Sequence, residues 1–230
     1  GTLKGLVKNR AFIGVALASF TLMSASLTVG SLNAYLFKEY FHNTTLIALG
    51  GMVGIVASLS IIPFVGIIVK KLGKKESAVV GVAFTTAIYA IMFFMPNLTA
   101  GMYVILSFVS GLGTGLFNTI VWALVGDAID YQEYITGERN EGTVYSSYSL
   151  ARKLAQALSG GIGGFALSFL GYKSGVAQQL PAVGEGIKNI TLGAALIGYG
   201  ATVLIILFVY NLSTKKLAEM NAELKKRRAA

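Results

Sequence analysis

Long apolar runs separated by short polar loops dominate the chain. A membrane-spanning helix takes about 20 apolar residues to cross a hydrocarbon core of roughly 30 Å. Six segments have that length: residues 11–36 (A), 46–69 (B), 77–95 (C), 102–125 (D), 143–170 (E) and 188–211 (F). The pattern predicts an all-α, polytopic membrane fold, with residues 1–230 forming one six-helix domain and residues 212–230 its tail. Pro96 stops C, and Pro63 removes a backbone donor in the last turns of B, which predicts a kink there.

Three segments interrupt their apolar runs with polar positions at helical spacing. In A, Ser24, Thr28, Ser31 and Tyr35 fall on one face, and in D, Ser107, Gly111, Thr114, Asn118 and Trp122 do. In E, Tyr145, Tyr148, Arg152 and Gln156 share a face, with Ser146, Ser149 and Lys153 beside it. Taken singly, the hydroxyls are satisfied by their own i−4 carbonyls. Taken together, the three faces predict a wet cavity lined by A, D and E, since polar groups in lipid turn toward protein or water. Lys153 lies about 15 Å along the helix from Thr143, near the midplane. No acid of this chain lies at that depth to pair with Arg152 or Lys153, so the partner is water, a solute or another segment. Trp122 is either an interfacial anchor or a platform on which a sugar ring stacks.

Composition supports a lipid environment. Apolar residues make up 54%, charged residues 13%, and the mean hydropathy is +0.68, where a soluble domain carries about 25% charged residues. The net charge of +9 would suggest nucleic acid in a soluble protein, but topology explains it. Fourteen cations fall on one side: Lys4, Lys8, Arg10, Lys70, Lys71, Lys74, Lys75, Arg139 and six in the tail. The other side holds only Lys38, Lys173 and Lys188, so the first side, with both termini, is expected in the cytoplasm. No nucleic-acid partner is expected. With no cysteine and a single histidine, His42, neither a disulfide nor a metal cluster is expected, and no cofactor. An intramembrane enzyme would have little to work with. The two readings left are a transporter and a membrane scaffold whose polar faces only pack helices. The tail places Leu217, Met220 and Leu224 on one face, which predicts either an amphipathic helix on the inner leaflet or a frayed end. No cleavable signal is evident, and the first residue, Gly1, suggests a piece of a longer chain.

Two loops carry concentrated charge. The B–C turn reads Lys70-Lys71-Leu72-Gly73-Lys74-Lys75, and the D–E stretch of residues 126–142 holds Asp127, Asp130, Glu133, Glu138 and Glu141 against Arg139. Acids on the basic side need partners, and the B–C turn offers them. The D–E stretch, with Asp127-x-x-Asp130-Tyr131-x-Glu133, then Thr136-Gly137-x-Arg139-x-Glu141-Gly142 and Lys153 eleven residues on, resembles the glycoside–pentoside–hexuronide:cation symporters of the major facilitator superfamily. Gly171-Tyr172 and the B–C turn match as well. Residues 149–156, Ser-x-x-Arg-Lys-x-x-Gln, look more like the glucuronide permeases than the melibiose or lactose ones. The resemblance implies the C-terminal six-helix half of a twelve-helix fold in the cell membrane. It also implies a sugar site between the halves, alternating access, and coupling to Na+ or H+ bound mainly in the N-terminal half. Lys153 would lie near the sugar and cation sites, and Asp127, Asp130, Tyr131 and Arg139, with Lys74 and Lys75, would form a cytoplasmic gate.

Overall fold

A computed structural model describes residues 2–176 and 178–229, and the side chains of residues 2–4, Lys4 among them, lie outside the description. Short α1 (Thr2–Lys8) ends at Asn9, whose side chain accepts the Phe12 N–H at 2.8 Å and caps α2 (Arg10–Tyr35). A π-helical turn, Leu36–Tyr40, prolongs α2. Then come α3 (Ile47–Leu72), α4 (Lys74–Phe94), α5 (Ala100–Thr136), α6 (Glu141–Phe169), α7 (Pro181–Phe208) and α8 (Thr214–Ala229). Helix α3 runs on through Pro63.

The helices form two flanked rows. Helix α5 packs along α3 and α4, and α2 along α6 and α7. The rows join where α4 meets α7 and where α2 meets α5. Close approach relies on small residues: a side chain at Gly113 of α5 would strike the Gly81 carbonyl of α4. Helices α3 and α6 are outer flanks, each with one main neighbour. Their outer faces expose Ile62 and Ile67 on α3, and Leu154, Phe165 and Phe169 on α6. Such faces suit lipid or another helical bundle, not water. This is a polytopic membrane protein.

Among the described residues, five helical stretches are long and apolar enough to cross a bilayer: Arg10–Tyr40, Thr44–Leu72, Lys74–Phe94, Ala100–Thr136 and Pro181–Phe208. Segment E forms α6, whose 29 residues are long enough, but Arg152, Lys153, Gln156 and its serines keep it from meeting the same standard of apolarity. Segment D also runs further than expected. Its helix has 37 residues, roughly 55 Å at 1.5 Å each, and overhangs a core of about 30 Å. Nothing in the stretch 126–136 breaks a helix. Gly137, at φ +76°, ends it, with its N–H bonded to Glu133 O at 2.8 Å. The D–E loop is therefore only residues 137–140, and Asp127, Asp130 and Glu133 project from one helical face. Segment F begins at Pro181, which shortens the loop before it. The tail does not use its apolar face on lipid: Met220 and Leu224 are buried, and α8 packs on α5.

Candidate functional site

A cavity of about 400 Å³ opens among α2, α3 and α5, with tyrosines of α4 and α7 in its wall. Helix α3 supplies Gly50, Gly51 and Gly54, then Ile55, Ser58 and Leu59. Helix α2 contributes Ser26, Gly30 and Asn33, and α5 contributes Tyr103, Ser107, Ser110, Thr114 and Asn118. Tyr89 and Tyr199 complete it, with the Tyr199 hydroxyl 3.0 Å from Ser26 Oγ. Several hydroxyls are spent on backbone carbonyls: Thr114 and Ser58 both donate to Gly111 O at 3.2 Å, and Ser110 to Ser107 O at 3.0 Å. Ser107 Oγ is buried with no hydrogen-bond partner. No charged residue lines the cavity.

This cavity takes in only part of the lining expected from segments A, D and E. Of the residues on the three predicted faces, Ser107, Gly111, Thr114 and Asn118 border this cavity, whereas Thr28, Ser31, Tyr35, Tyr148, Ser149 and Gln156 do not. The stripe on α2 faces α6 instead. Ser159 of α6 donates to Ser24 O at 3.5 Å, a side chain at Gly163 would meet Ser31 Oγ at 2.5 Å, and Ser31 Oγ itself donates to Thr28 O at 2.9 Å. Ala155, Ser159, Gly163 and Ala166 are all buried along α6, a small-residue seam that lets the two helices approach. Tyr35 meets Tyr172 edge-on at 5.2 Å.

One turn along α5 from Asn118, Trp122 meets α6. The Arg152 guanidinium lies 5.0 Å from the Trp122 ring centre and 5.8 Å from that of Tyr148. Tyr145 stacks on Trp122 at 6.2 Å, and Tyr148, fully buried, shares a 2.9 Å hydrogen bond with Ser19 of α2. Arg152 is thus seated on aromatic rings, its charge attracted by their faces. Neither Arg152 nor Lys153 forms an ion pair among the described residues. Lys153 and Gln156 are exposed on α6, and Ser149 is half-buried. Trp122 is 47% exposed, so part of its ring is still open to a second stacking partner.

The charged end of the bundle is built as ion pairs. Lys74 Nζ reaches both oxygens of Asp127, at 2.7 and 2.9 Å, and ties the start of α4 to α5. Arg139 pairs with Asp130 at 2.7 Å and Glu133 at 3.1 Å. Arg228 of α8 competes for the same two carboxylates, donating to Glu133 Oε1 at 2.9 Å and Asp130 Oδ1 at 3.2 Å. The carboxylates hold both guanidinium groups above their ordinary pKa, chiefly Asp130 for Arg139 and Glu133 for Arg228. Tyr131 accepts from Asn211 at 3.2 Å and lies under Lys216, 5.0 Å away. Lys75, predicted beside the acids, turns instead to the end of α7 and donates to Tyr210 O at 2.7 Å. Carbonyls left bare at a helix C-terminus attract a cation as an acid does.

Residues 1–214 match the family described as MFS/sugar transport protein, and the chain belongs to that family. It is 32% identical over 221 residues to the uncharacterized symporter YjmB of Bacillus subtilis (strain 168), covering 96% of this chain and 48% of that protein. It is 28% identical over 233 residues to a glucuronide carrier protein homolog of Escherichia coli (strain K12), covering 99% and 50%. A putative sulfoquinovose importer of Salmonella typhimurium (strain LT2) is 33% identical over 164 residues, 70% of this chain and 33% of that protein. The chain spans about half the length of the first two relatives.

Proposed function

We propose that the chain is the C-terminal six-helix half of a secondary transporter that carries an acidic sugar across the cell membrane by alternating access, coupled to Na+ or H+. Glucuronide and sulfoquinovose, the solutes in the names of two relatives, each join a sugar ring to an acid group. The observation that carries the reading is Arg152, a planar cation held against Trp122 with no carboxylate partner among the described residues. A guanidinium stacked by its face still presents N–H groups at its edge, in a fork that fits a carboxylate or sulfonate. In this reading α6 is also a span, the fifth of six in chain order. Its polar face is directed to an N-terminal half that also holds most of the coupling-cation site, and Lys153 lies between solute and cation. Both termini and the Lys74–Asp127 end are cytoplasmic, which the excess of lysine and arginine at that end supports. A scaffold reading draws support from the α2 stripe, which packs against α6, but it gives Arg152 no acidic partner among the described residues.

The test is uptake by the complete transporter in proteoliposomes. Arg152→Gln is expected to raise the KM for D-glucuronate at least tenfold, about 1.4 kcal/mol, and to leave D-glucose within twofold. Equal losses for both sugars would remove the carboxylate role. In intact cells an impermeant thiol reagent is expected to label Gly175→Cys and spare Gly73→Cys, and the reverse would invert the topology.

A further inference from the structure

Two cations converge where α7 ends, at the charged end of the bundle. Arg10, at the start of α2, donates to Phe208 O at 3.1 Å. Lys75, in the first turn of α4, donates to Tyr210 O at 2.7 Å and Leu207 O at 3.2 Å. The three carbonyls lie within residues 207–210, so the two charges flank a single helix end. Among the described residues neither cation forms an ion pair. Glu76, beside Lys75 in the sequence, folds back toward Gly73 instead. The carbonyls take two of the three donors of the lysine and one of the five of the arginine, so both keep N–H groups to give. Arg10 is exposed and Lys75 half-buried.

Beside them α7 carries an apolar stripe. Ile197, Leu204 and Phe208 follow one another at spacings of seven and four, on one helix face, and all three are strongly exposed. Helix α7 packs along α2 and α4, so this stripe belongs to neither of the open flanks. From Ile197 to Phe208 is roughly 16 Å at 1.5 Å per residue. That is about half of a 30 Å hydrocarbon core, the depth of one leaflet. A stripe one leaflet deep that ends at two cations complements an acyl chain under an anionic headgroup. We propose that Arg10 and Lys75 form a headgroup site for an anionic phospholipid whose acyl chain lies along the α7 stripe. The bound phosphate bridges the starts of α2 and α4 at the end of α7. The assignment needs only that the chain spans a bilayer, and it does not depend on the solute.

Native mass spectrometry of the complete transporter, delipidated in detergent, tests it. Dissociation constants are measured for phosphatidylglycerol and for phosphatidylcholine with the same acyl chains. The unaltered protein is expected to bind phosphatidylglycerol at least tenfold more tightly. Arg10→Gln combined with Lys75→Gln is expected to bring the two lipids within twofold. Lys225→Gln combined with Lys226→Gln, an equal loss of charge on the exposed face of α8, is expected to keep the preference. Because Arg10 and Lys75 also hold the end of α7, a further variant leaves both in place. Phe208→Glu sets a carboxylate on the exposed stripe where the headgroup would meet it, and is expected to abolish the preference as well. Equal affinities in the unaltered protein, or a preference kept by either site variant, would overturn the assignment. Release of phosphatidylglycerol by an equal concentration of inorganic phosphate would overturn it too, since the site would then hold phosphate without lipid. A dimer in place of bound lipid, lost in the double variant, would give the face to a second copy of the chain and likewise overturn it.

Discussion

Lys74 and Asp127 form one contact whose two partners are unequally buried. The Asp127 side chain is only 10% exposed and the Lys74 side chain 37%. The lysine can hydrate itself when its partner is lost, and the aspartate cannot. Lys74→Ala therefore strands a buried carboxylate, at a cost of order 1–3 kcal/mol, whereas Asp127→Asn leaves a neutral amide and a lysine near water. Thermal unfolding in detergent is expected to show the larger drop for Lys74→Ala. The opposite order would mean that the pair is not what anchors the B–C turn. At this scale the sequence was informative where charge stood out against its surroundings. An acidic cluster on a basic side pointed to Lys74, and Arg152 in an apolar helix identified itself. Arg228 did not, since it meets Glu133 across 95 residues of chain and only the docking of α8 brings them together. Ser107 was legible as polar, but not as the one hydroxyl of its face that finds no partner.

Among the elements, α8 departs most from an amphipathic helix laid on a membrane. Its buried Met220 and Leu224 face α5. Arg227 donates to Tyr134 O at 3.1 Å and lies 5.2 Å from the Tyr134 ring, while Arg228 holds Asp130 and Glu133. Removing a buried leucine costs about 2–5 kcal/mol, more than surface ion pairs of about 0–1 kcal/mol each replace. Leu224→Ala is thus expected to raise amide exchange in residues 214–229 at least tenfold, and Arg228→Ala to raise it by less. Exchange that depends on anionic lipid and ignores Leu224→Ala would restore the leaflet reading. The spans themselves were legible because lipid forces every backbone group into a helix and every such helix to a minimum length. The end of α5 was not, because hydropathy follows lipid, while the helix follows backbone hydrogen bonds as far as Gly137. The cavity was hidden for a related reason. Its α3 wall owes its room to Gly50, Gly51 and Gly54 beside Ile55, Ser58 and Leu59, and segment B reads as uniformly apolar.

In the whole molecule, the two rows α3–α5–α4 and α6–α2–α7 leave α3 and α6 as open flanks, and the polar features divide between them. The cavity lies on the α3 side of α5, and the Arg152 seat on the α6 side. The ion pairs at the charged end tie α4 to α5, and α8 and the D–E loop to α5. On the proposed reading, a second bundle would rock against the open flanks, where apolar side chains such as Ile62, Ile67, Leu154 and Phe165 are exposed. The most direct measurement is uptake of D-glucuronate by the purified complete protein in sealed proteoliposomes, with and without an inward Na+ or H+ gradient. Accumulation above the external concentration when one gradient is imposed, and its collapse when that gradient is dissipated, is the predicted result. Vesicles that take up no more than protein-free controls under either gradient would contradict it and leave a scaffold of packed helices.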